Sequence, residues 1–294
     1  MTEVSERLAA LAPSEQSLVG YLFWLSRPRF WFYLAGPVVV GVAYAADSTS
    51  DLFTPLSVAL FLYFLLPANV FLYGINDIFD ADVDEHNPKK SDEGKEVRYQ
   101  GNGVVVAVVS LSAVLGALFV PFLPAEGTAV LALFVFLGAQ YSAPPLRFKT
   151  TPLLDSVSNG LYILPGVLAY VAVAGTLPPA LAVAGGWLWT MAMHTFSAIP
   201  DIDPDSAAGI RTTATALGER GALAYCGGCW LAAAALMALV HPVLGGVFAV
   251  YPLFVGSIVT ADVAIDRAYW WFPVVNMLTG TALTMAGLWV MLYG

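Results

Sequence analysis

The sequence predicts an all-α integral membrane protein built as a bundle of nine transmembrane helices. Two observations predict this fold class. The chain of 294 residues is 59% hydrophobic and only 11% charged, whereas a soluble domain carries about 25% charged residues. Apolar stretches near the roughly 20 residues that cross a hydrocarbon core of about 30 Å recur along the whole chain.

Each of these stretches is assigned as a membrane span, and no segment between them has the composition of a soluble domain or a linker. Residues 1–294 are therefore treated as one transmembrane domain. Residues 1–20 are acidic and lack the basic-then-apolar order of a cleaved signal, so we expect an amphipathic segment on the cytoplasmic membrane surface. The predicted spans are 28–46, 54–76, 103–122, 125–141, 153–174, 178–199, 221–240, 243–262 and 272–293.

The distribution of basic residues gives the orientation. With nine spans, every Lys and Arg falls at the N-terminus or in the loops after spans two, four, six and eight, and the other loops contain none. Cytoplasmic loops are enriched in Lys and Arg, so the N-terminus is predicted to be cytoplasmic and the C-terminus extracellular. The basic residues are Arg7, Arg27, Arg29, Lys89, Lys90, Lys95, Arg98, Arg147, Lys149, Arg211, Arg220 and Arg267.

Net charge and cysteine content exclude other classes of protein. A net charge of −9 argues against nucleic acid as a partner. Cys226 and Cys229 form a C-x-x-C within an apolar run, without a second pair or a nearby histidine. We interpret them as two small residues on one face of a buried helix, because thioredoxin-type chemistry requires a βαβ context.

The first acidic cluster lies at the cytoplasmic end of span two. At about 100° per residue of helix, one face carries Asn76, Asp77, Asp80 and Asp84, and Asp82 lies on the far side. Carboxylates stacked in this way repel one another unless a cation neutralises them. Oxygen-only ligands suit Mg²⁺ rather than Zn²⁺, so we interpret this face as a metal site.

A second acidic cluster lies at the cytoplasmic end of span six. Asp201 and Asp205 are spaced for one helix face, with Asp203 and Pro204 between them, and Pro204 is compatible with a bend in the chain. Mg²⁺ commonly bridges one or two carboxylates to substrate phosphates. Two acidic walls on one membrane side therefore indicate a site for Mg²⁺ and a diphosphate. The alternative is a solvated acidic surface.

Basic residues in the cytoplasmic loops complement the two acidic clusters. One loop begins at Tyr141 and contains Arg147 and Lys149, and another contains Arg211. These cations could donate charge-assisted hydrogen bonds to the outer oxygens of a diphosphate. Their alternative role is to set the topology.

The remaining polar residues in or near the spans give weaker indications of function. The three histidines, His86, His194 and His241, have no spacing partner for a metal site, so structural roles are expected. Asp155 and Asn159 at the start of span five could line a cavity or begin the helix.

The paired clusters resemble the signature of the UbiA prenyltransferase superfamily. The matching motifs are N-D-x-x-D-x-x-x-D from Asn76 to Asp84, D-x-x-x-D-x-x-x-G-x-R-T from Asp201 to Thr212, and Y-S-x-P-P-x-R-x-K from Tyr141 to Lys149. The resemblance implies a central cavity among the helices and Mg²⁺ on the amide and carboxylates of both clusters. It also implies catalysis by Asp77, Asp80, Asp84, Asp201 and Asp205, and diphosphate binding by Asn76, Tyr141, Arg147, Lys149 and Arg211.

The sequence after the first motif is similar to one branch of that superfamily. Asn87-Pro88-Lys89-Lys90, with the acidic balance, resembles the carotenoid-modifying members from extremely halophilic archaea. The resemblance implies transfer of a dimethylallyl group from its diphosphate to the end of lycopene, with water trapping the resulting cation.

Two other functions are left open. One is transfer of a longer prenyl chain to an aromatic, quinone-type or glycerol-phosphate acceptor. The other is transport, although transporters place ionisable residues near the bilayer midplane, whereas these clusters lie at one interface.

Overall fold

The computed structural model describes residues 17–80 and 101–294, and these residues form helices without any strand. Short 3₁₀ turns join several of the helices. Residues 1–16 of the predicted N-terminal segment 1–20 lie outside the described residues. The α-helices are α1 Leu18–Leu25, α2 Trp31–Ala45, α3 Pro55–Leu65, α4 Pro67–Phe79, α5 Gly103–Ala117, α6 Ala125–Ser142, α7 Leu154–Ser158, α8 Leu164–Ala174, α9 Ala180–Ser197, α10 Ile202–Ala207, α11 Thr213–Val240, α12 Pro242–Phe248, α13 Val250–Thr260 and α14 Ile265–Tyr293.

Seven helical segments in the described ranges are long and apolar enough to cross a membrane. Each coincides with one of the predicted spans, and several combine two successive helices. The chain is therefore a multi-pass membrane protein. The seven segments are Pro55–Phe79, Gly103–Phe122, Ala125–Ser142, Leu154–Ala174, Thr213–Val240, Pro242–Thr260 and Ile265–Tyr293.

The other two predicted spans, 28–46 and 178–199, are also helical, as α2 and α9, but are not among these seven. Helix α2 has 15 residues, fewer than the roughly 20 that span a bilayer core. Helix α9 has 18 residues and carries Thr190, His194 and Thr195, which lower its hydropathy. Both helices pack inside the bundle, α2 against α8 and α9 against α11.

A break between α3 and α4 positions the first acidic cluster. Pro67 has no N–H and ends the hydrogen-bonding pattern of α3. The buried side chain of Asn69 donates to the carbonyl oxygens of Phe64 at 2.9 Å and Leu65 at 3.0 Å. Backbone carbonyls within a membrane need hydrogen-bond partners. Asn69 supplies them to the two carbonyl groups at the break between α3 and α4.

Helices α2 and α8 approach each other closely through glycine. A Cβ atom on Gly41 would lie 2.1 Å from the carbonyl oxygen of Gly166. Small residues permit this separation of helix backbones in membranes. The contact fixes α2 against the middle of the bundle.

Two apolar cores meet at the centre of the described structure. The first joins α2, α3, α4, α6 and α8, and includes Phe64, Phe71 and Phe134. The second joins α9, α11, α13 and α14, and includes Trp230 and Phe272. Tyr162 packs against both cores. The boundary between them therefore lies near this tyrosine.

Candidate active site

The C-terminal turn of α4 carries the described part of the first acidic cluster. Asn76 and Asp77 lie in this turn, and Asp80 follows as the capping residue. Asp77 is only 2% exposed. The C-terminus of a helix carries partial negative charge, so carboxylates at this position need cationic partners. Asp84, assigned to the same face from the sequence, lies outside the described residues.

The loop after α6 supplies two cationic partners. Lys149 contacts Oδ2 of Asp80 through Nζ, which also donates to Oδ1 of Asn76 at 3.2 Å. Arg147 donates to Oδ1 of Asp80 at 3.1 Å and to the carbonyl oxygen of Phe79 at 3.2 Å. The loop thus folds back onto the end of α4, and its two cations share one carboxylate.

A third cation reaches the cluster from the segment before α2. The guanidinium of Arg27 lies 3.5 Å from Oδ1 of Asp77 and 4.7 Å from the ring centroid of Tyr73. Tyr73 precedes Asp77 by one helical turn, so one side chain contacts both. Sequence reasoning missed Arg27 as a site residue and assigned it only to topology, because its partner lies 50 residues away.

The second acidic cluster follows α9. Asp201 and Asp205 are half-buried, while Asp203 is exposed. Pro204 lies in the first turn of α10, where no backbone N–H is needed. The chain therefore does not bend at Pro204; the interruption is the 3₁₀ turn at Ile199–Asp201 that precedes it.

Arg211 occupies a different environment from Arg147 and Lys149. Its side chain is exposed between α10 and α11, and it makes no ion pair within the described part of the chain. The structure does not bring Arg211 onto either acidic cluster.

An aromatic cavity of about 130 Å³ lies directly beneath the two clusters. Tyr73 lines it one turn before Asp77, and Ser197 lines it four residues before Asp201. Both acidic segments therefore continue from the wall of one cavity. Its aromatic lining consists of Phe30, Tyr33, Tyr73, Tyr162, Tyr269 and Phe272. The remaining lining residues are Arg27, Asn159, Met193, His194, Ser197 and Pro273.

Two hydrogen bonds tie the helix ends at this level together. Ser142 donates to Oδ1 of Asn76 at 2.9 Å, which joins α6 to α4. The Tyr141 hydroxyl lies 3.3 Å from Nε2 of His194, which joins α6 to α9. Tyr141, assigned to diphosphate from the sequence, thus contacts a histidine in this structure.

Asp155 and His194 form a polar pair that sequence reasoning left without a function. Asp155 is 0% exposed and accepts a hydrogen bond from the backbone N of Thr213 at 2.9 Å and another from the Thr213 hydroxyl. Its Oδ2 lies 3.8 Å from Nε2 of His194. A carboxylate on a membrane-spanning segment is a functional candidate by default, and this rule could have singled out Asp155.

The donors at the mouth of the cavity suit Mg²⁺. Carboxylate and amide oxygens are hard ligands, and the two acidic segments contain no cysteine. Within the described ranges, no three acidic, histidine or cysteine side chains are close enough to hold an ion by themselves. Mg²⁺ in proteins commonly takes part of its ligands from substrate phosphates.

Comparison with known proteins assigns the class. The model of the UbiA prenyltransferase family matches residues 34–265. The chain therefore belongs to this family and is a membrane enzyme that transfers prenyl groups.

Individual relatives are similar over nearly the whole chain. A lycopene elongase/hydratase from Haloarcula japonica is 59% identical over 99% of this chain and 98% of its own length. Another from Halobacterium salinarum is 60% identical over 93% of this chain and 99% of its own length. A solved UbiA homolog from Archaeoglobus fulgidus, bound to DMAPP and Mg²⁺, shares the fold with a TM-score of 0.70 at 20% identity, covering 91% of this chain and 98% of that one.

Proposed function

We propose that this enzyme uses Mg²⁺ to transfer the dimethylallyl group of dimethylallyl diphosphate to the end of lycopene and adds water to the resulting cation. The observation that carries the proposal is a set of carboxylates and cations at the mouth of a cavity lined by aromatic rings. The names of two relatives with 59% and 60% identity support lycopene as the acceptor.

The proposed metal site consists of one amide and five carboxylates from the two clusters: Asn76, Asp77, Asp80, Asp84, Asp201 and Asp205. Mg²⁺, when bound there, would offset the charge that develops on the leaving diphosphate. Arg147 and Lys149 contact Asp80 in the structure, and their chains are long enough to turn toward phosphate oxygens once a metal occupies that carboxylate. Tyr141 and Arg211 are added to the proposed diphosphate contacts from the sequence motifs alone, since Tyr141 contacts His194 and Arg211 is exposed in this structure.

The aromatic lining suits the carbocation that follows. Cleavage of the C–O bond leaves both electrons on the diphosphate and an allylic cation on the dimethylallyl group. The faces of aromatic rings attract cations, and Tyr73 and Tyr162 line the cavity, Tyr73 one helical turn before Asp77. The mostly apolar lining keeps water away from this first cation until the acceptor alkene attacks it.

The size of the cavity limits how the acceptor binds. A volume of about 130 Å³ is smaller than the roughly 300 Å³ at the lower end for pockets that enclose a drug-sized ligand. Only the reacting end of a forty-carbon polyene enters such a space. The rest of lycopene then stays outside this cavity.

We also propose that α2 and α9 cross the bilayer with the seven apolar segments, which gives nine spans around the cavity in one transmembrane domain. The N-terminus and the active site then face the cytoplasm, and the C-terminus lies outside. The support is the location of Arg27, Arg147 and Lys149 at the same end of the bundle as Asn76 and Asp77, since basic residues mark the cytoplasmic side.

A deletion strain tests the acceptor. Removal of the gene from a carotenoid-producing host should cause lycopene to accumulate and longer carotenoids to disappear. A plasmid copy of the wild-type gene should restore them, and a copy with Asp80→Ala should not. An unchanged pigment profile would reject lycopene and favour a longer prenyl donor with an aromatic or glycerol-phosphate acceptor.

A further inference from the structure

We infer that His194, oriented by Asp155 and Tyr141, is the base that accepts a proton from water when the second carbocation is hydrated. This inference rests on the proposed function and deepens it. It assigns a catalytic residue to the hydration step, which the acidic clusters do not explain. His194 is the catalytic residue, and Asp155 and Tyr141 are positioning residues.

His194 lies next to the proposed site of prenyl transfer. His194 lines the cavity and keeps 20% of its side chain accessible, although its neighbours on α9 are buried. Tyr141, its hydrogen-bond partner, adjoins Ser142, whose hydroxyl donates to Asn76 of the first cluster. His194 therefore lies beside the place where the proposed diphosphate releases its prenyl group, on the cavity side of the carboxylates.

Asp155 places a carboxylate beside the imidazole of His194. This carboxylate is fully buried, and the hydrogen bonds from Thr213 fix its position. Its Oδ2 lies 3.8 Å from Nε2 of His194. A carboxylate beside one ring nitrogen favours the tautomer with the proton on that nitrogen and stabilises the imidazolium once a second proton arrives.

The two ring nitrogens of His194 have different surroundings. Tyr141 and Asp155 both face Nε2 of His194, and within the described residues no hydrogen bond reaches Nδ1. Nδ1 is thus left to accept a proton from a molecule in the cavity. Asn159 and Ser197 are further polar residues of the lining, and the cavity is larger than the space that one water needs.

The hydration step balances without any oxidant or reductant. Attack by the terminal alkene of lycopene forms the new C–C bond and leaves a tertiary cation next to it. A lone pair of water forms a C–O bond to that cation, and one O–H proton passes to Nδ1 of His194. When water is not deprotonated by His194, a carbon next to the cation instead gives up a proton to the released diphosphate, and an alkene forms. The ratio of alcohol to alkene therefore reports on His194 directly.

The experiment measures that ratio in membranes that contain the full-length enzyme. Lycopene, dimethylallyl diphosphate and Mg²⁺ are supplied in water labelled with oxygen-18, and elongated products are resolved by mass spectrometry. His194→Asn and His194→Gln should lower the labelled alcohol fraction by about 100-fold or more, the lower end of the usual contribution of a general base. Asp155→Asn should also lower the labelled alcohol fraction. His241→Asn, at an exposed histidine that caps α12, is the matched control and should match the wild type.

The outcomes separate this inference from the proposed function. If the wild type forms no elongated product from lycopene, the proposed function and the inference are both wrong. If the two His194 variants form elongated product with an unchanged or larger alcohol fraction, only the inference is wrong. If both reach the membrane in normal amounts but form no elongated product at all, His194 acts in prenyl transfer and its assignment to hydration is rejected.

Discussion

The guanidinium of Arg27 lies 3.5 Å from a carboxylate oxygen of Asp77, although the two residues are 50 positions apart in sequence. The same guanidinium lies over the ring of Tyr73. A single side chain from the segment before α2 therefore contacts both the acidic end of α4 and the aromatic wall of the cavity. This contact links the proposed diphosphate site to the proposed carbocation site.

Replacement of Arg27 by alanine should lower kcat/KM for dimethylallyl diphosphate by about 10- to 100-fold, because a hydrogen bond to a charged group contributes about 1.5–3 kcal/mol. The measurement is product formation in membranes with normalised protein amounts. Arg220→Ala, at an exposed position on α11, is the control and should behave like the wild type. Equal activity of the Arg27 and Arg220 variants would contradict a role for the Arg27–Asp77 contact.

The second acidic cluster offers its own internal control. Asp201→Ala and Asp205→Ala should each reduce prenyl transfer by about 100-fold or more, the scale for losing one preorganised electrostatic contact. Asp203→Ala, on the exposed face of the same short helix, should retain near wild-type activity. A loss of activity in all three variants would point to damage of α10 rather than to metal binding.

Removal of the metal should stop the reaction reversibly. Excess chelator should reduce product formation by at least about 100-fold, because the metal carries several kcal/mol of charge stabilisation at the leaving group. Added Mg²⁺ should restore activity, and Zn²⁺ should restore less because the ligand set consists of oxygens. Full activity in the presence of excess chelator would contradict a role for Mg²⁺ in the reaction.

Helix packing at Gly41 should be sensitive to a single methyl group. Gly41→Ala places a Cβ atom 2.1 Å from a backbone oxygen of α8, and overpacking of this kind costs about 1–3 kcal/mol. Gly36→Ala on the same helix meets no heavy atom within 4 Å. Thermal unfolding in detergent should therefore show a lower Tm for the first variant and little change for the second.

The sequence alone predicted the helical membrane fold, and it also located both acidic clusters. Helical periodicity places Asn76, Asp77 and Asp80 together because they lie within about one turn. Such a prediction needs only neighbouring residues in the sequence. Seven predicted spans coincide with long apolar helices. The stretches of α2 and α9 were identified as helical, but their lengths and polar residues make hydropathy a weaker guide.

Sequence reasoning failed where a residue depends on partners from distant helices. From the sequence, Arg27 was assigned only to topology and His194 only to a structural role. Their partners Asp77 and Asp155 lie on other segments. Periodicity carries no information about which helices become neighbours. A buried charge such as Asp155 is detectable from its position in a span, but its contact with Thr213 depends on tertiary packing.

The double contact of Arg147 and Lys149 with Asp80 has a thermodynamic consequence for the proposed reaction. An ion that binds Asp80 in the empty enzyme must displace Arg147 and Lys149 from that carboxylate. A diphosphate that arrives with the ion gives those cations new partners. Affinities for the ion and the diphosphate are then coupled, and each ligand must raise the affinity for the other by the same factor. Titrations of either ligand at several concentrations of the other would measure this reciprocity.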